Sequence, residues 1–282
     1  MTPSVAPHSP TAGAGPMRDV PLVDCHAHSY TLDMPLDATA WHKPPHDASV
    51  EQYIATLDEH GVQYAVLAAA SLYGDYNDYQ IRACRRYARL RTTVILPPTT
   101  DLYTMERMKA DGVVGIRFQW RNVANPPDLT SPEYRRLLRR VADLDWHVHL
   151  HDDGMRLPPA IAAIEASGAK LVIDHFGRPD PALGICCAGF QAILRSVERG
   201  RTWVKLSAGF RLPSEQAAIE YAAELLKFAG PERLLWGSDW PFAAFESSMR
   251  YQQAIDGLAR WVPDPAARRI IGGETPLKLY FS

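Results

Sequence analysis

The chain has 282 residues, 46% of them hydrophobic and 22% charged, with a formal net charge of −2. A charge so near zero supplies no basic field for nucleic acid or an anionic membrane, so neither is expected as a partner. No run of about 18 apolar residues occurs, so no transmembrane helix is expected.

Residues 1–19 are rich in Pro, Ala, Gly, Ser and Thr and lack the apolar core of a signal peptide. A disordered tail is expected there, with residues 20–282 forming one domain. The four cysteines, Cys25, Cys84, Cys186 and Cys187, contain no C-x-x-C pair, and two are adjacent. This usage fits reduced thiols in a cytoplasm better than a disulfide framework.

Eight short apolar runs read as strands: Leu22–His28, Tyr64–Ala70, Thr92–Pro97, Val113–Gln119, Trp146–His151, Leu171–Phe176, Thr202–Ser207 and Leu234–Asp239. Their near-continuous Val, Ile and Leu content is that of a parallel sheet covered by helices. The clearest helices between them are Ser49–His60, Ser131–Leu144 and Ser214–Ala229. Ser49 caps the first and Gly61 stops it, Pro132 opens the second, and Gly230-Pro231 ends the third. Strict βα alternation over eight units predicts an α/β fold, a single-domain (β/α)8 TIM barrel. A doubly wound sheet is disfavoured, because no G-x-G-x-x-G follows the first strand. The stretch Ser29–Ala48, containing Trp41, His42 and Lys43, is expected as a loop over the end of the first strand, where it would tune specificity.

Polar residues gather where the strands end. The first strand closes on His26-Ala27-His28, whose alternate side chains point to one side. The fifth carries His147, His149 and His151, and if His151 faces the mouth then His149 lies one layer deeper. His175 ends the sixth strand and Asp239 the eighth. Desolvating so many polar groups on one face costs free energy, and chemistry is the reason such convergence persists. Two close imidazoles can share a metal or hydrogen-bond one substrate oxygen. Arg117, Arg121, Arg178 and Arg211 stand after strands four, six and seven, and guanidinium forks at the mouth would select a small anionic substrate. Ser71 can add a hydrogen bond. Cys25 is expected to face away from His26 and pack against the helices, and Ser207 and Ser238 lack a nucleophile elbow.

The motifs Val-Asp-Cys-His-Ala-His, Gly-Ile-Arg-Phe, Val-Ile-Asp-His-Phe-Gly-Arg-Pro-Asp, Lys-Leu-Ser-Ala-Gly-Phe-Arg and Trp-Gly-Ser-Asp-Trp-Pro resemble the amidohydrolase superfamily. They look most like its lactonase branch, which includes 2-pyrone-4,6-dicarboxylate lactonase. The resemblance runs from about Leu22 to Tyr280. It implies a hydrolase that opens a carboxylated lactone, with Asp239 as the base that activates water and His26, His28 and His175 around it. Arg117 and Arg211 would hold a substrate carboxylate, with Ser71, Arg121, His151 and Arg178 beside them. His151, which stands where the pyrone-dicarboxylate enzyme has tyrosine, and Phe242, where it has histidine, set this chain apart from it.

The resemblance implies either of two states for metal. Most superfamily members bind divalent ions, and some lactonase-branch members work without one. Arg117 replaces a lysine at the end of strand four, which argues against a carbamate-bridged pair. One zinc held by His26, His28, His151 or His175, and Asp239 is compatible with the residues. Two further readings share these residues: a metal-dependent decarboxylase of the same superfamily, and a non-catalytic barrel that binds a small acid.

Overall fold

The computed structural model describes residues 20–282, and the tail expected over residues 1–19 lies outside the described residues. Eight strands follow one another in chain order around a single sheet: β1 (Val23–Ala27), β2 (Tyr64–Leu67), β3 (Leu90–Val94), β4 (Val113–Gln119), β5 (His147–His151), β6 (Lys170–Ile173), β7 (Thr202–Ser207) and β8 (Leu234–Gly237). Every neighbouring pair from β1 to β8 is parallel. The sheet closes on itself where Asp239 N donates to His26 O and His28 N donates to Trp240 O, at 2.8 and 2.7 Å. This is the (β/α)8 barrel expected from the alternation.

The outer layer is built from α1 (Val50–Glu59), α2 (Asp78–Arg86), α3 (Leu102–Ala110), α4 (Pro132–Asp143), α5 (Leu157–Ser167), α6 (Ala188–Glu198), α7 (Glu215–Ala229) and α8 (Tyr251–Trp261). Two short helices follow, α9 (Pro265–Arg269) and α10 (Thr275–Tyr280). Ser49 and Gln52 form a reciprocal capping box on α1, and Ser131 and Ser214 cap α4 and α7. Leu57, Leu137 and Leu225 are fully buried between helices and sheet, each contributing about 1.5–3 kcal/mol.

Several strands end earlier than their apolar runs suggest. β6 stops at Ile173 because His175 and Phe176 take left-handed backbone, with φ of 53° and 57°. β8 stops at Gly237, and Asp239 has φ 67°. A non-glycine residue in this region cannot continue a strand and costs roughly 1–2 kcal/mol. Left-handed residues also follow β7, at Ala208, and stand in the β8–α8 loop, at Phe242 and Ala244. They turn the chain sharply at the C-terminal face, where strained backbone commonly accompanies function.

β1 contains the one departure in orientation. Asp24 pairs with Ala65 but Ala27 pairs with Leu67, so β1 holds one extra residue against β2. Cys25 therefore does not pack against the outer helices α1–α8 as expected. It packs with Val23, Val66, Val172, Leu235 and Tyr280, while Ala27 belongs to the larger cluster that includes Val50, Tyr53 and Leu57 of α1. Leu277, Leu279 and Phe281 pack against the Cys25 cluster, so the C-terminal segment closes that end of the barrel. All four cysteines are free thiols. Among the described residues no helix is long and apolar enough to cross a membrane.

Candidate active site

The first and last strands are fastened to each other by Asp24. This buried carboxylate accepts hydrogen bonds from Tyr53 of α1 (2.8 Å), Tyr251 of α8 (2.8 Å), the Ser238 hydroxyl (2.6 Å) and the backbone amides of Ser238 and His26. Gly237 lies flat against the same place. A Cβ there would sit 2.6 Å from the His26 Cβ and 2.8 Å from its amide nitrogen, so only glycine lets β8 approach β1. The brace brings His26 and His28 next to Asp239.

Three imidazoles converge on one oxygen. The Nε2 atoms of His26, His28 and His175 lie 3.6, 3.6 and 3.7 Å from Asp239 Oδ1. These separations are too long for direct hydrogen bonds and suit a small group shared between them. The other oxygen, Oδ2, accepts from Arg211 Nε at 2.8 Å. Burial opposes ionisation of Asp239, but the Arg211 guanidinium and the surrounding histidines outweigh it and hold the carboxyl well below the usual carboxylate range.

The other ring nitrogens are occupied. His28 Nδ1 faces the Ala68 carbonyl at 2.8 Å. A carbonyl only accepts, so this nitrogen carries a proton, and in the singly protonated ring Nε2 presents a lone pair. A His28 ring protonated only there is an acceptor toward the cavity rather than an oxyanion donor. His175 Nδ1 meets the Ser207 hydroxyl at 2.8 Å. Burial pushes the imidazolium form of His26 down to about 3, and holds His151 and His175 well below the ordinary histidine value.

Above this floor lies a cavity of about 290 Å3 lined by His28, Ser71, Arg117, Arg121, His151, His175, Arg178, Arg211 and Asp239. Every expected site residue therefore lies on its wall except His26, which is completely buried beneath it. Tyr30 and Trp41 of the loop after β1 and Phe245 of the loop after β8 complete the mouth, and His42 joins the two loops through Glu246 at 3.1 Å.

The arginines differ in how far they are already committed. Arg117, 3% exposed, donates to Asp174 Oδ2 at 3.1 Å and to the Ala69 carbonyl at 2.7 Å, leaving one edge beside His151. Arg211 spans Asp239 and the Ala243 carbonyl and stacks on Phe210 and Phe245. Arg178 and Arg121 share Asp153 at 3.6 and 3.4 Å. Burial, together with the nearby Arg121 and Arg211, lowers the pKa of Arg178, and its buried Nε, though near Asp153, makes no hydrogen bond. An anionic group entering there would relieve both costs.

Four residues around the site escaped sequence reasoning. Asp174 directly precedes His175, and Asp24 and Ser207 hold catalytic candidates in place. Lys205 lies under the site, completely buried. Its signal was a lysine inside the apolar run of β7, a residue almost never buried unpaired.

The amidohydrolase family model matches residues 23–281. The chain belongs to the amidohydrolase family. It is 28% identical to a 4-sulfomuconolactone hydrolase of Rhizobium radiobacter over 91% of this chain and 89% of that one. It is 26% identical to a 2-pyrone-4,6-dicarboxylate hydrolase of Comamonas testosteroni, covering 92% and 90%. A crystal structure of a probable 2-pyrone-4,6-dicarboxylic acid hydrolase from Acinetobacter baumannii with citric acid bound superposes with a TM-score of 0.88 at 31% identity, covering 93% of this chain and 99% of that one. A more distant amidohydrolase from Burkholderia multivorans, 17% identical with a TM-score of 0.76 over 93% and 99% of the two chains, is described with bound zinc.

This amidohydrolase places donor atoms of His26, His28 and Asp239 within 4.8 Å of one another, a spacing that could hold a cation. His28 suits that use, since its Nδ1 proton goes to a carbonyl as it does in metal-bound histidines. His26 does not. Its Nδ1 is hydrogen-bonded at 3.0 Å to the Lys205 Nζ, a donor where a ligating imidazole requires an acceptor, and the nearby Asp174 Oδ1, at 3.3 Å, lies outside hydrogen-bond geometry. The residues present thus do not fit a metal held by both strand-1 histidines. His151, also expected as a ligand, lies outside this group of three, and its Nδ1 faces Arg117.

Removing Arg211 should expose what it does for Asp239. Arg211→Met is expected to lower kcat/KM at neutral pH by about a hundredfold, the scale of a lost charge-assisted hydrogen bond. The acid limb of the pH–rate profile should also move upward as the carboxyl loses its cation. An unshifted limb would show that Arg211 does not govern Asp239.

Proposed function

We propose that this amidohydrolase hydrolyses a small lactone bearing at least one carboxylate or sulfonate group. The observation that carries the reading is the convergence of three imidazole nitrogens and one guanidinium on the Asp239 carboxylate, at the floor of an arginine-lined cavity. The named activities of the relatives, opening sulfomuconolactone and pyrone-dicarboxylate rings, point to the same substrate class.

In this reading a water sits between Asp239 Oδ1 and His28 Nε2, both acceptors, which aim its oxygen at the lactone carbonyl. As the oxygen–carbon bond forms, Asp239 takes one proton. The Arg211 cation beside Asp239 makes it a weak base, so transfer completes only as bonding to the carbonyl makes the water acidic. Negative charge developing on the carbonyl oxygen is met by His175, whose Nε2 carries a proton when Nδ1 accepts from Ser207. Collapse breaks the bond between the acyl carbon and the ring oxygen. Asp239 returns its proton to that oxygen, and the product is an open-chain acid. Arg117, Arg178 and Arg211 orient the substrate's acidic group, with Ser71, Arg121 and His151 around the ring. No step calls on a divalent ion.

A panel of carboxylated and sulfonated lactones, followed by proton release before and after chelation, tests this reading. Turnover of at least one member that survives chelation is expected. Activity abolished by chelation and restored by zinc would overturn the metal-free route while keeping the hydrolase. No turnover of any lactone would overturn the hydrolase.

A further inference from the structure

Lys205 stands in the middle of β7, with no exposed surface. Its Nζ lies 3.0 Å from each of three atoms on three other parts of the barrel: Asp174 Oδ1 after β6, His26 Nδ1 on β1 and His149 Nδ1 on β5. An ammonium has three protons and no lone pair, and here it hydrogen-bonds the two imidazole nitrogens while Asp174 Oδ1 supplies the counter-charge as an ion pair. Asp174 can only accept, so it anchors the ammonium end of the pair. Burial lowers the Lys205 pKa, and Asp174 opposes that effect. Each imidazole that accepts at Nδ1 must carry its own proton on Nε2. For His149 this assignment is independently sensible, because its Nε2 faces the Tyr280 hydroxyl at 3.4 Å, where an oxygen can accept.

For His26, whose Nδ1 also lies 3.3 Å from Asp174 Oδ1 but outside hydrogen-bond geometry, the same assignment has a chemical consequence. We propose that Lys205 is a positioning residue that fixes His26 as the Nε2–H tautomer, turning a donor toward Asp239. The two histidines of the H-x-H pair, equivalent in sequence, then face one carboxylate oxygen with opposite polarity. His26 offers a proton and His28 a lone pair. His26 Nε2 is buried with no hydrogen-bond partner of its own, so its proton is directed at Asp239 Oδ1 and whatever that oxygen binds. This keeps Asp239 ionised and leaves His28 alone to share the water. It also denies the site a second imidazole ligand. The use of this polarity in catalysis rests on the hydrolase reading, whereas the tautomer itself does not.

The test reads the ring protons directly. Full-length protein labelled with 15N-histidine is examined at neutral pH by two-bond 1H–15N correlation, with His26 and His28 assigned through the backbone. His26 is expected to be protonated at Nε2 only and His28 at Nδ1 only. A His26 ring protonated at Nδ1 would overturn the proposal, whether Nε2 is protonated or not. Added zinc is expected to leave the His26 pattern unchanged, and conversion to an Nε2-bound form would overturn it. Lys205→Met adds a functional readout. A kcat reduced at least tenfold with KM unchanged, together with a His26 pattern no longer confined to Nε2–H, is expected. A folded variant that keeps the wild-type His26 pattern would overturn the proposal. If that variant does not fold, the wild-type spectrum decides. None of these spectra requires substrate, so a failed lactonase assay and a failed tautomer assignment are separate results.

Discussion

Asp239→Asn is expected to lower kcat for lactone opening by about 10³-fold, within the range assigned to a positioned general base, with KM changed less than threefold. The substitution is a clean probe for two structural reasons. Asp239 has φ 67°, a conformation asparagine tolerates better than most residues, so the turn at the end of β8 should persist. The Asn side-chain oxygen can still accept from Arg211 Nε, now 2.8 Å from Oδ2, so the guanidinium need not move. What is lost, on the proposed route, is the ability to take a proton from water and return it to the leaving oxygen. Steady-state kinetics with equilibrium binding of a non-hydrolysable acid would check this. A kcat within tenfold of the parent would assign the base elsewhere, and loss of binding would make Asp239 a substrate contact.

The second large effect is on stability in acid. His26, His147, His149, His151 and His175 are all buried, and burial lowers each imidazolium pKa, to about 3 for His26 and about 4 for His147. Once unfolded, each returns to the ordinary value near 6.5. Between these limits the unfolded chain binds more protons than the folded one, so stability rises with pH and is lost as pH falls from about 6.5 toward 3. His26 and His147 alone should each cost about 2 kcal/mol between pH 7 and pH 5. Asp239 and Asp174, both held below the carboxylate range, add losses only near and below the unfolded value of 3.8. Asp24 acts in the opposite sense, because burial raises its pKa and it favours the fold more as pH falls. The histidines outnumber it. Tm is expected to drop by about 10 °C or more from pH 7 to pH 5, using 2–4 °C per kcal/mol for a chain of this size. Calorimetry at three pH values would show it, and a flat Tm across that interval would mean the buried imidazoles are charged in the native state.

The barrel was legible because its signals are local. Val113–Gln119 and Thr202–Ser207 are strands over their full expected length, since each apolar run is bounded by residues that break it. The cavity wall was legible for a related reason, as a polar residue ending an apolar run has few other places to go. What could not be read depends on contacts between distant strands. The extra residue in β1 that turns Cys25 inward is defined only by pairing with β2. The early ends of β6 and β8 come from left-handed backbone at His175 and Asp239, residue types that enter that region more often than most but still only in a minority of cases. Lys205 was passed over because it sits mid-strand rather than at a strand end, and its three partners come from elsewhere in the barrel. The polarity of His26 and His28 is equally non-local, being set by Lys205 in one case and the Ala68 carbonyl in the other.

The seam between β1 and β8 also bears on how the enzyme comes into being. Asp24 and Ser238, joined there by a 2.6 Å hydrogen bond, are 214 residues apart in the chain. A ribosome must release nearly the whole polypeptide before His26 can meet Asp239, so nascent or truncated chains possess the histidines without the carboxylate. Such a site is assembled late and all at once. The cell is thereby spared partly built hydrolase, at the cost of a first strand that waits through most of synthesis for its last neighbour.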